Sequence, residues 1–479
     1  MVLYSFLAFL AFFLFVGLLS VRRRRKSAED YLLASREISP AFVGLSGAAS
    51  TASGFGFTGI IGFGYMMGLP GAWFVFGAVF GSLIAFAIVT RRFRVFTQRR
   101  GVASYSEYLA TGIGKNPRLL QTVIGLVSIF AVILYATAQL TAGSKALHVL
   151  FGWEYGAGAV LGAIIVVLYC FAGGIRASIW TDVAQIMVMY GAMALLAVVS
   201  LTAIGGFSGL YEKLQAIDPA LVDIFPENTM FGAFLFILGW LSLGFSFIGF
   251  PHVMVRFMTL KKSKDTRKAI AWYQGSYAAF YITAYIVALC TRILVPDAAD
   301  FDKELALPQL AETMLPDILV GVILAGIFAG TISTADSLVL SCTASLSRDI
   351  FKKHKDSYIF LKLSTLSVTV VALILALTGS KSVFDLVLFA ITIMGAGFAP
   401  LMIVRVLHWP VTQILALCMM AAGLAAGIGW RLLGYHVHVY DALPGIAAAF
   451  AVYGIGLLLW LKAPQALRKP FVSSRSKAQ

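Results

Sequence analysis

Apolar stretches without charge, each long enough to cross a bilayer, recur along the whole chain, at 2–21, 38–90, 119–144, 155–175, 183–211, 228–255, 269–291, 318–335, 363–380, 386–404, 406–430 and 442–461. A span needs about 20 apolar residues to cross roughly 30 Å of hydrocarbon, and its backbone polar groups must be bonded within the protein, which restricts such segments to helices. The stretch 38–90 is too long for one span and is interrupted around Met67-Gly68-Leu69-Pro70-Gly71, so it holds two. The expectation is therefore an all-α integral membrane protein with thirteen transmembrane helices. A composition of 60% hydrophobic and 12% charged residues excludes an ordinary soluble domain.

Basic residues orient these spans. Nearly all of the 37 lysines and arginines fall in alternate loops: Arg22 to Lys26 with Arg36, Arg91 to Arg118, Arg176, Arg256 to Lys268, Arg348 to Lys362, Arg405, and the tail from Lys462. The positive-inside rule puts that side in the cytoplasm, with the N-terminus outside and the C-terminus inside. The net charge of +15 is thus a topology signal and not a nucleic-acid footprint, since the arginine cluster abuts a membrane span. Residues 2–21 lack a basic segment before the apolar run, which favours a retained first helix over a cleaved signal peptide. The four cysteines lie in or beside apolar spans without metal-ligand spacing and read as packing residues.

Two carboxylates, Asp182 and Asp336, sit beside long apolar runs with no solvated loop to escape to. An ionisable group in hydrocarbon is costly, so it faces a bundle interior and serves ion or substrate passage. Asp336 lies in Gly330-Thr331-Ile332-Ser333-Thr334-Ala335-Asp336-Ser337, where Ser333 and Ser337 share a helical face. Oxygen-only ligands suit a hard monovalent cation; ordinary interhelical hydrogen bonding is the alternative. Asp182, after the turn Phe171 to Arg176, is expected more simply to cap the first amides of the span it opens.

The second span carries Gly44-Leu45-Ser46-Gly47-Ala48-Ala49-Ser50-Thr51-Ala52-Ser53-Gly54, a weak continuous helix. Either its small residues pack helices tightly, or the helix breaks and frees carbonyls that can replace the hydration shell of a sodium ion. The seventh span, with its aromatic residues and Pro251, either kinks and lines a cavity or turns those aromatics to lipid, and His252 is expected at its cytoplasmic end. No Walker motif, dinucleotide glycine fingerprint, HExxH or nucleophile elbow is present. The chain is not expected to be an enzyme, and energy coupling must come from an ion gradient.

These residues make the chain recognisable. Ser46 to Gly54, Gly173-Gly-Ile-Arg-Ala-Ser-Ile-Trp-Thr-Asp-Val-Ala-Gln185, Gly249-Phe-Pro-His252 through Arg256-Phe257-Met258, and Ala329 to Ser337 ending in Ser347-Arg348-Asp349 resemble the sodium/solute symporter family, most nearly its proline-carrying members. The resemblance runs from about residue 28 to 460. It implies a five-plus-five inverted-repeat core: an extra helix and basic loop over 1–37, a first repeat over 38–204, an extracellular loop over 205–228, a second repeat over 229–405, two further helices over 406–461 and a cytoplasmic tail over 462–479. It also implies sodium-coupled import of a small organic solute, an amino acid or small carboxylate, in a bacterial inner membrane, with the solute, sodium and membrane lipid as partners.

The resemblance further implies a sodium site from backbone carbonyls of Ala49, Ala52 and Gly330 and the hydroxyls of Ser333 and Thr334. A second cation or proton position falls on Asp182, Ser333, Asp336 and Ser337, where Asp336 adds an acid that some relatives lack. Solute-binding positions map to Ser50, Thr51, Tyr135, Leu243, Phe247 and Pro251. Thr51 stands where the proline carriers have an aspartate, and Leu243 and Phe247 where they have tryptophan and tyrosine, which argues against proline itself. The alternative function is a transporter-like sensor. With only the tail 462–479 after its last span, such a sensor would need a signalling partner.

Overall fold

A computed structural model describes residues 1–462 except 23, 24, 26, 115, 228, 296–301, 380 and 381. The tail beyond 462, Lys115, Asp297, Asp300 and part of the arginine cluster at 22–26 lie outside the described residues. In chain order the helices are α1 (Val2–Val21), α2 (Ala28–Leu33), α3 (Pro40–Ala52), α4 (Gly59–Met67), α5 (Ala72–Arg99), α6 (Tyr105–Ala110), α7 (Arg118–Phe151), α8 (Tyr155–Ile204) and α9 (Gly206–Ile217). There follow α10 (Gly232–Phe245), α11 (Pro251–Met258), α12 (Thr266–Leu294), α13 (Ala306–Met314), α14 (Asp317–Ser345), α15 (Tyr358–Thr378), α16 (Val383–Val406), α17 (Gln413–Leu432) and α18 (Ala442–Lys462).

The fold is all-α, multi-pass and integral to the membrane. Eleven helices among the described residues, against the thirteen expected, are long and apolar enough to cross by themselves. The two shortfalls are the 38–67 and 155–175 stretches. The first is divided between α3 and α4, and the second is the front part of α8.

Each interruption has a local cause. The chain leaves α3 at Ser53, whose φ of 52° and ψ of 175° are costly for a residue with a Cβ, and a short 3-10 turn over Gly54–Gly56 leads to α4. The Ser53 hydroxyl accepts the Phe55 N–H at 3.1 Å, which holds the turn. A second interruption separates α10 from α11: a 3-10 turn over Ser246–Gly249 ends at Phe250, which is extended because Pro251 follows it. Helix α8 bends at Gly174 (φ 57°), where a Cβ would come within 2.5 Å of the Tyr31 carbonyl of α2.

That bend corrects the reading of Asp182. The helix is already under way when it reaches this residue, two turns past the bend, so Asp182 caps no helix start. Beside the bend, Arg176 donates to Asp30 of α2 at 2.6 Å, and the Arg25 N–H and the Ser35 hydroxyl donate to the same carboxylate, each at 2.8 Å. Burial alone would raise the Asp30 pKa, but these three donors, Arg176 foremost, hold it below the usual carboxylate value.

Helix α14 is buried along most of its length and packs on α8, α7 and α3; α12 lies along α3 and α4, and α10 along α5. The outer helices α1 and α15 keep large apolar side chains exposed, as a lipid-facing surface requires. Where α5 crosses α10, Cβ atoms at Gly77 and Gly81 would overlap the Trp240 and Leu241 backbone, and one at Gly244 would stand 2.5 Å from the Gly77 carbonyl oxygen. Gly77→Ala is therefore expected to cost about 1–3 kcal/mol, because backbone and not a flexible side chain must give way. An unchanged melting temperature of the detergent-solubilised variant would show that the crossing tolerates the methyl group.

Candidate cation and solute site

The interruption after α3 leaves the Ser50, Thr51 and Ala52 carbonyls without the amides that a continuing helix would supply, while the Ala49 carbonyl still accepts the Ser53 N–H at 3.2 Å. Two hydroxyls of α14 reach into this gap. Ser333 donates to the Gly330 carbonyl at 3.1 Å and lies 3.4 Å from the Ala49 carbonyl oxygen, and Thr334 donates to the Ser50 carbonyl at 3.1 Å. The two helices can come this close because Gly330 has no side chain: a Cβ there would stand 2.9 Å from the Ser53 oxygen. Ala49, Gly330 and Ser333 are thus brought together directly, Thr334 lies one carbonyl away, and the Ala52 carbonyl accepts the Tyr281 hydroxyl at 3.2 Å. A water-excluded cluster of carbonyl and hydroxyl oxygens, with neither nitrogen nor sulfur, fits a sodium ion.

One turn along α14, a second cluster surrounds Asp182 and Asp336. Arg256 of α11 donates to the Asp182 carboxylate at 2.9 Å, to Ser46 at 2.7 Å and to Ser178 at 3.1 Å, and also contacts the Ser337 hydroxyl. Ser46 donates to Asp182 at 2.6 Å, and Ser178 and Ser337 each donate to Asp336 at 3.0 Å. All six residues are buried. The cluster holds two carboxylates and one guanidinium, and Asp182 Oδ1 and Asp336 Oδ2 have no hydrogen-bond partner among the described atoms.

Sequence reasoning counted Arg256 among the basic residues of a loop. The structure corrects this: Arg256 is on a helix, buried, four residues after His252, which is itself buried and not at an exposed end. The signal was available, since Pro251 opens a new helix and the apolar run continues past Arg256 to Met258. Four further carboxylates among the described residues, Asp30, Glu304, Asp349 and Asp441, are also buried, beyond the two that the apolar runs singled out.

The solute positions divide. Ser50 faces the charged cluster, with its hydroxyl 3.0 Å from that of Ser337. Tyr135 of α7 lies across the interruption, with its hydroxyl 3.4 Å from the Ser53 hydroxyl and its ring edge-on to His252 at 5.8 Å. Phe247, in the turn before Pro251, meets the Tyr277 ring at 5.6 Å, and Leu243 is buried one turn earlier. Thr51 accepts from Tyr273 at 3.0 Å. The α12 tyrosines were missed because their spacing is that of an ordinary packing face. Farther toward the opposite side from the charged cluster, Phe55, Phe63, Phe74, Trp240 and Phe384 interlock, with the Phe63 and Phe384 rings stacked at 5.4 Å. Beyond them opens a cavity of about 400 Å³, where Lys145 joins Asp302 and Glu304, both at 2.6 Å.

This architecture has counterparts. Residues 31–423 match the sodium:solute symporter family. The chain is 27% identical to the high-affinity proline transporter of Bacillus subtilis over 91% of its own length and 94% of that protein's. It is 28% identical to the sodium/proline symporter of Escherichia coli over 94% of its length and 92% of that protein's. A solved sodium-coupled sialic acid symporter, in a substrate-bound outward-open state, superposes with a TM-score of 0.81 over 96% of this chain and 98% of that one at 20% identity, which shows a common fold. The chain belongs to the sodium:solute symporter family and is a sodium-coupled secondary transporter of a small organic solute, not an enzyme.

Proposed function

We propose that the protein imports a small amino acid or carboxylate into a bacterial cell, with sodium bound at Ala49, Ala52, Gly330, Ser333 and Thr334. The observation that carries this reading is the placement of the Ser333 and Thr334 hydroxyls against the Ala49 and Ser50 carbonyls at the end of α3, the second of which has lost its helical amide. In this reading the chain makes thirteen passes with its N-terminus outside, and α3–α4 and α10–α11 are the discontinuous first helices of two five-helix repeats, over 38–204 and 229–405. Sodium bridging α3 and α14 favours the state that accepts solute, and solute then shifts the population toward closure. Asp182, Asp336 and Ser337 form a second position, for another cation or a proton, next to the fixed charge of Arg256.

Uptake of radiolabelled amino acids and carboxylates into proteoliposomes, with and without a sodium gradient, tests the function. Ser333→Ala and Thr334→Ala should each raise the sodium concentration for half-maximal uptake by about three- to ten-fold, the equivalent of one lost ligand hydrogen-bonding oxygen. Unaltered sodium dependence in both variants removes the site. Phe247→Tyr and Leu243→Trp should reorder the preferred solutes in competition assays while leaving sodium affinity near the parent's. The reverse result relocates the solute pocket away from Tyr135, Thr51 and Pro251.

A further inference from the structure

Tyr273, Tyr277, Tyr281 and Tyr285 follow one another every fourth residue of α12, so they stand on one helical face, and all four are buried. Their neighbouring rings pack on each other, Tyr273 on Tyr277 at 5.7 Å and Tyr277 on Tyr281 at 4.5 Å. Three of the hydroxyls bond the discontinuous helix at successive levels. Tyr273 donates to the Thr51 hydroxyl, Tyr281 to the Ala52 carbonyl at 3.2 Å and the Thr51 carbonyl at 3.4 Å, and Tyr285 to the Gly68 carbonyl just past α4.

The middle bond is the consequential one. Thr51 and Ala52 are the last two residues of α3, and their carbonyls point where no helical amide follows, because the chain turns away at Ser53. Leaving buried carbonyls without donors is costly, and Tyr281 supplies the donor. On the other side of the same turn, Ser333 and Thr334 serve the Ala49 and Ser50 carbonyls. The last turn of α3 is therefore held between α14 and α12, and a carbonyl that accepts one hydroxyl keeps a second lone pair for a cation.

We propose that Tyr281 is a positioning residue for the cation site: its hydroxyl fixes the Ala52 carbonyl at the end of α3, next to the turn whose Ala49 and Ser50 carbonyls meet α14. This rests on the sodium reading given above. Tyr281 acts through the Ala52 carbonyl and does not itself ligate the ion. Its loss acts on sodium affinity first, and on solute affinity only through sodium.

Tyr281→Phe removes the hydroxyl and keeps the ring against Tyr277 and against Phe74, whose centroid is 6.2 Å away. In proteoliposomes the sodium concentration for half-maximal uptake should rise by about three- to ten-fold, while the solute KM measured at saturating sodium stays at the parent value. Tyr285→Phe, which loses the bond beyond α4, should leave both values unchanged. The purified protein gives a readout independent of transport: sodium should raise its melting temperature by mass action, and Tyr281→Phe should need correspondingly more sodium for the same rise. Unchanged sodium dependence in both assays overturns the proposal, as does an equal shift in Tyr285→Phe. If Ser333→Ala and Thr334→Ala weaken sodium while Tyr281→Phe does not, the positioning role fails and the site stands. If Tyr281→Phe alone weakens sodium, the positioning role stands and the assignment of α14 ligands fails.

Discussion

Arg256→Gln is expected to lose most of the correctly folded protein, with a penalty of about 3–5 kcal/mol, because it strands two buried carboxylates without their cation. The side chain is fully buried and bonds Ser46 of α3, Asp182 and Ser178 of α8, and Ser337 of α14. One guanidinium thus joins four helices, and glutamine cannot replace its fork of donors or its charge. Combining Arg256→Gln with Asp182→Asn should recover a substantial part of the loss, since the excess of buried negative charge then returns to its original value. Thermal unfolding of the purified variants in detergent measures both effects. A single variant that melts with the parent, or a double variant that melts no higher than the single, would show that the charge of Arg256 is not what the cluster needs.

The second large effect is expected at Asp336, and it is functional more than structural. With Arg256 bonded to Asp182, the Asp336 carboxylate is held by the Ser178 and Ser337 hydroxyls and keeps one oxygen without a partner. A buried negative charge in excess attracts either a proton or a second cation. Asp336→Asn should accordingly insert and fold normally, yet transport with a flattened pH profile or a lowered sodium Hill coefficient. Asp336→Glu should fail as well, since its extra methylene displaces the oxygens from the two serines in a packed interior. An Asp336→Asn protein with the parent's pH profile, Hill coefficient and sodium affinity would make this acid purely structural and remove the second position.

The membrane setting was legible from residue order because it depends on what each segment can tolerate, not on what it touches. Runs such as 386–404 and 442–461 have nowhere else to go, and α16 and α18 lie on them. The weakness of the helix over Gly44 to Gly54 was legible too, since glycine and small hydroxyl residues have low intrinsic helix propensity. Its end at Ala52 and the φ of Ser53 came only with the contacts from α7, α12 and α14 that make a costly backbone geometry tolerable.

Spans over 38–67 and 155–175 showed the opposite limit. Both are apolar enough in sequence, but the first is interrupted between α3 and α4, and the second is continuous through Gly174 with the rest of α8 and does not stand as a separate helix. Likewise, a count of positive charges could not tell Arg256 from the lysines that follow it. Hydropathy averages over neighbours in sequence, whereas burial of a charge is decided by neighbours in space: Asp182 is 74 residues away from Arg256 and Ser46 is 210. Composition and periodicity determined that this chain is a bundle of membrane helices, with segments rich in small and hydroxyl residues over 44–54 and 330–337. Which hydroxyls face which carbonyls, and which cation answers which carboxylate, was decided by helix packing, because those bonds act between segments that the sequence holds far apart.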